Sequence, residues 1–145
     1  MKNIAGFFVI AGLFVLACSS TAFHTQEKHG AHKHYQKIEI QDPAMVPEVA
    51  IQAQRDSMAG WNIHVLATQF AFTPENAGKK HVAGQGHAHL YVDGKKVARL
   101  YGPWFHLPAL SPGKHVLKVT LNANSHEEYA FKGKPVSGQI EVVEN

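Results

Sequence analysis

The chain has 145 residues, with 14 Lys plus Arg against 11 Asp plus Glu, 11 histidines and a single cysteine. The net charge of +3 is a small excess with no Lys/Arg stripe, so nucleic acid is not an expected partner. With one cysteine, Cys18, placed where it is either acylated or discarded, the mature chain is expected to carry no disulfide, thiolate nucleophile, zinc ribbon, iron–sulfur cluster or blue-copper site.

At the N-terminus Lys2 precedes an apolar run over residues 4–17, too short for an ordinary membrane span but suited to the apolar region of a secretory signal. Val15-Leu16-Ala17-Cys18 resembles the lipobox of bacterial lipoproteins. This implies removal of residues 1–17, lipidation of Cys18 and a periplasmic, membrane-tethered protein. A cut after Ala22, leaving Phe23 first, is the competing route. Residues 18–37 read as a flexible tether whose His24, His29, His32 and His34 supply neutral imidazoles for a secondary, looser metal site.

Residues 38–145 show short runs of β-branched, aromatic and alternating apolar residues between Gly, Pro and Asn. This pattern predicts a single all-β domain, an immunoglobulin-like or cupredoxin-like antiparallel β-sandwich. Candidate strands cover residues 46–54, 61–72, 87–92, 96–101, 115–123 and 136–143, while residues 47–58 are also compatible with a helix. Asp93-Gly94 predicts a tight hairpin between the third and fourth candidates.

The most informative feature is Gly86-His87-Ala88-His89-Leu90-Tyr91-Val92-Asp93-Gly94. Strand residues two apart share a face, so His87, His89 and Tyr91 lie opposite Ala88, Leu90 and Val92. The first face can offer two imidazoles to one ion and the second packs in the core. His106, after Trp104-Phe105, and His126, past the end of a strand, are expected at a sheet end and complete a candidate ligand set of His87, His89, His106 and His126. Histidine-only ligation suits Cu(II) or Zn(II), with copper favoured by affinity. His64 and His81 are expected to be structural or solvent-exposed.

Together with Pro112-Gly113-Lys114-His115 and Asn122-Ala123-Asn124-Ser125-His126, this stretch resembles a family of small exported bacterial β-sandwich domains that share a Gly-His-x-His-Leu-x-x-Asp-Gly motif. The likeness covers roughly the last two-thirds of the chain. It implies export, a sandwich fold and association with a metal, copper in particular. A cupin differs in placing a glutamate three or four residues beyond its His-x-His pair; the acid here, Asp93, belongs to a turn.

The leading expectation is a non-enzymatic copper- or zinc-handling protein, anchored to a membrane through lipid and exchanging metal with a periplasmic partner. Two alternatives stand beside it. One is a cupin-like or copper-dependent enzyme assisted by Tyr91 or Tyr101. The other is an interaction module for protein or glycan, with structural histidines and exposed Tyr101, Trp104 and Phe105.

Overall fold

The computed structural model describes residues 36–145. The signal sequence, Cys18 and the tail histidines His24, His29, His32 and His34 lie outside the described residues.

Among the described residues the regular structure is all β, apart from two short 3-10 turns at Pro43–Met45 and Pro74–Asn76. Strands in chain order are β1 (Lys37–Glu39), β2 (Glu48–Arg55), β3 (Trp61–Thr68), β4 (Ala71–Phe72), β5 (Gln85–Val92) and β6 (Lys95–Leu100). They continue with β7 (Trp104–Leu107), β8 (Gly113–Ala123), β9 (Glu128–Phe131), β10 (Lys134–Pro135) and β11 (Ser137–Glu144). The segment that left a helix open is β2, where Val49, Ile51 and Ala53 alternate with Glu48, Gln52 and Gln54.

An eight-stranded sheet follows the path β1-β9-β8-β5-β4, with β10 on β9, β11 on β8 and β6 on β5; a three-stranded sheet has the order β2-β3-β7. Contrary to the antiparallel expectation, the large sheet is mixed, because β1 runs parallel to β9 and β4 parallel to β5. The single strand expected over residues 61–72 is in fact two. Gln69 takes a left-handed φ of 53°, ending β3 in the small sheet and delivering β4 to the large one. Left-handed backbone is tolerated at such a break by a polar, unbranched residue better than by a β-branched one.

The two sheets enclose one core. Ile51, Ile63 and Val65 of the small sheet meet Ala88, Leu90, Leu117, Val119 and Leu121 of the large one. Leu90 sits in register with Ala98 on one side and Val119 on the other, and has no solvent exposure. The predicted hairpin forms: Asp93 and Gly94 both have positive φ, 49° and 78°, the backbone of a tight two-residue turn. Asp93 also reaches β8, where its carboxylate accepts bonds from Val116 N at 2.9 Å and from His115 Nδ1 at 2.7 Å. The remaining His115 N–H donates to the Ser111 carbonyl at 2.7 Å. With both ring nitrogens donating, the imidazolium is favoured, and the Asp93 bond raises the His115 pKa above its ordinary value.

A buried carboxylate ties the layers together. Glu144 of β11 accepts from Arg55 Nη1 of β2 at 2.7 Å, from Trp61 Nε1 of β3 at 3.0 Å and from Leu110 N at 3.2 Å. These bonds, that from Arg55 foremost, hold its pKa below the usual carboxylate range.

Candidate metal centre

Strand β5 runs between β6 and β8, so its non-core face is assembled by register. His87 lies opposite Asn122, His89 opposite Thr120 on one side and Arg99 on the other, and Tyr91 opposite Lys118 and Lys96. An irregularity between Leu90 and Tyr91 shifts the β6 partner from Ala98 to Lys96 and brings the lysine onto this face. Strand β5 comes unusually close to β8 at Gly86: a Cβ there would stand 1.9 Å from the Asn122 carbonyl oxygen. The glycine before the first histidine is therefore a steric requirement of the strand pair.

The two imidazoles converge as the sequence predicts. Their Nε2 atoms are 3.1 Å apart and their ring centroids 4.9 Å apart. Metal–nitrogen bonds of about 2.0–2.1 Å set two nitrogens about 2.9 Å apart at a right angle and about 3.3 Å apart at a tetrahedral one, so the 3.1 Å spacing is a chelating bite. Without an ion the same spacing is a hydrogen bond in which one Nε2–H donates to the other Nε2. Ligation needs both lone pairs, so one ring must shift its proton to Nδ1.

Both rings are buried, His87 with 0 % and His89 with 1 % of its surface exposed. Sequence alternation separates this face from the core side without indicating that it too is buried. Burial lowers the His87 pKa to about 4, aided by the charges of Arg99, His126 and Lys96. Burial likewise lowers that of His89 to about 3, with Lys96, His87, Arg99 and His126 adding to it. Both imidazoles are neutral near pH 7, the form that coordinates metal.

His126 joins this pair. It occupies the turn between β8 and β9 with a left-handed φ of 83°, a backbone state that costs a non-glycine residue of order 1 kcal/mol or more. Its ring stands 5.2 Å from that of His87, nearly perpendicular to it, and Asn122 Nδ2 reaches its carbonyl at 3.5 Å. The Nδ1 atoms of His126 and His87 are buried with no hydrogen-bond partner. Tyr101 closes another side, its ring 5.6 Å from His87 and its hydroxyl accepting from Arg99 Nη1 at 2.9 Å.

His106 does not join them. Trp104-Phe105-His106 forms β7, the edge of the small sheet, where His106 pairs with Asn62. Its Nδ1 contacts Asn62 Oδ1 at 3.3 Å and approaches Asp56 Oδ2 at 4.0 Å. A four-histidine set is therefore not assembled, because the aromatic run places His106 on the sheet across the core. Among the described residues no group of three or more His, Cys, Asp or Glu side chains is gathered to hold an ion; the centre is a two-nitrogen bite with a third imidazole adjacent.

Of the other histidines, His64 stacks on Trp104 at 3.9 Å between ring centroids, and His81 Nδ1 is 3.4 Å from the Tyr129 hydroxyl. Both are structural contacts. Sequence reasoning missed Thr120 and Asn122 as site residues, although both fall on the polar side of the alternation through Leu117, Val119 and Leu121. Thr120 Oγ1 donates to Asn122 Oδ1 at 2.9 Å, a bond that fixes the floor beside the two rings. No family model, curated protein or solved structure matches the chain.

Proposed function

We propose that the protein is an exported, lipid-anchored metal-binding protein that holds Cu(II), or Zn(II), at His87 and His89, with His126 turning in as third ligand. The observation that carries this reading is the 3.1 Å approach of two buried, neutral Nε2 atoms. A pair of imidazoles set at a ligand bite on a packed strand loses little freedom on binding, whereas a flexible tract must be ordered first. The tail histidines serve as a weaker collecting site, and a periplasmic metal-handling protein is the fitting partner. Two sheets around a single core support an immunoglobulin- or cupredoxin-like sandwich as the finer description of the fold.

Competition titration of the full chain with Cu(II) tests the proposal. The His87→Gln/His89→Gln variant should lose the tightest site and keep the weaker ones; equal tight binding in both proteins would refute it. Mass spectrometry of the mature N-terminus tests the anchor, and an unmodified terminus at Phe23 would reject lipidation at Cys18.

A second reading has its own observation. Trp104 is 63 % exposed and lies flat on His64, on a sheet face that also carries Asn62 and His106. A planar aromatic braced in this way suits an interaction surface for a glycan. Loss of glycan-array binding in Trp104→Ala, with copper binding intact, would favour that reading.

A further inference from the structure

The charges around the histidine pair set a condition on what can bind there. Arg99 lies directly across the ladder from His89, and Lys96 and Lys118 flank Tyr91 on the same face. Arg99 and Lys96 both act electrostatically on the two rings. A divalent ion held by neutral imidazoles keeps its full charge, and here it would keep it beside basic side chains, an arrangement that opposes binding of the bare ion.

The same side chains form a seat for a negative group. Arg99 is exposed, donates one N–H to the Tyr101 hydroxyl at 2.9 Å, and carries further donors in a planar fork shaped for a carboxylate. Tyr101 in turn is 5.6 Å, ring to ring, from His87. Two buried nitrogens thus offer a metal only part of its coordination, and an exposed guanidinium lies across the ladder from the second of them.

We infer that the ion at His87 and His89 binds together with a small carboxylate from solution, which completes its coordination and is held by Arg99. The inference rests on the metal-binding reading above. The protein would then take up metal in step with an anionic co-ligand, and release of either would weaken the other, since coupling between two ligands is reciprocal.

The test is a Cu(II) titration of the full chain in sodium acetate and, at equal ionic strength, in sodium perchlorate. The His87→Gln/His89→Gln variant is run alongside so that binding elsewhere is subtracted. The inference expects acetate to strengthen the histidine-dependent site at least about fivefold and to change its copper electron paramagnetic resonance spectrum. In Arg99→Gln the affinity in perchlorate should be kept or raised and the acetate increment lost. An increment missing from the parent, or undiminished in Arg99→Gln, would overturn the inference while leaving the metal site standing. Absence of any histidine-dependent copper binding in both salts would instead bring down the metal reading and the inference with it.

Discussion

Replacing Gly86 by alanine is the sharpest structural test of the site. The added Cβ would lie 1.9 Å from the Asn122 carbonyl oxygen and 2.9 Å from its carbon, both backbone atoms of the paired strand, so no side chain can swing aside. Restoring a tolerable 3.0 Å contact requires β5 and β8 to part by about 1.1 Å, which stretches ladder bonds of about 2.9 Å beyond hydrogen-bonding range. Overpacking costs about 1–3 kcal/mol, and one or two weakened ladder bonds add about 1 kcal/mol each, giving a loss of about 2–5 kcal/mol. With a urea dependence of about 2 kcal/mol per molar, the midpoint should fall by about 1–2.5 M. His87 follows directly in the strand, so copper affinity per folded molecule should fall too. Gly102→Ala, where nothing lies within 4 Å of the new atom, is the control. A Gly86→Ala midpoint equal to that of the parent would show that the close strand approach is not a feature of the protein in solution.

Leu90→Ala should cost about 2–5 kcal/mol in urea unfolding through lost burial and a cavity, yet leave copper affinity per folded molecule unchanged, because Leu90 points away from the histidines. Nuclear magnetic resonance should show His87 and His89 still neutral at pH 5, with pKa values near 4 and 3, so copper binding should persist from pH 7 to 5; protonation near the ordinary 6.5 would contradict their burial. The Asp93–His115 pair responds in the other direction. The raised His115 pKa means its contribution is complete below pH 6.5 and is lost as pH rises through the folded value, while the Asp93 part, with a lowered pKa, fades only as the solution becomes strongly acidic. In Asp93→Asn the His115 titration midpoint should fall from its raised position, and an unchanged midpoint would reject the ion pair.

Period-two alternation made β5, β8 and the tight turn at Asp93-Gly94 legible, because a half-buried strand writes its two faces into successive residues. It brought His87 and His89 together for the same reason. The failures have a common cause in tertiary placement. The edge strand β7 is bracketed by Pro103 and Pro108, which masked it as a loop, and nothing local reveals that its partner β3 lies across the core from His87. Gln69 carries no sequence mark of a left-handed break, so the division of one long run between two sheets stayed hidden. Burial of the histidine face was equally invisible, since alternation tells which residues share a side and not whether that side meets water. His126 was placed correctly near a strand end, but its closeness to His87 follows from the pairing of β8 with β5.

The Glu144 carboxylate has a consequence for how the chain acquires its shape. Its three donors lie 89, 83 and 34 residues away in sequence, on two other strands and a connecting segment. Such bonds reward the chain only after long loops have closed, so they stabilise the finished fold without helping any piece of it to form early. A polymer of this kind passes from an open coil to its native state nearly as a whole, slowly for its size. The local hairpins β2–β3 and β5–β6 can close beforehand, and the carboxylate then fastens them as a latch that spans both layers.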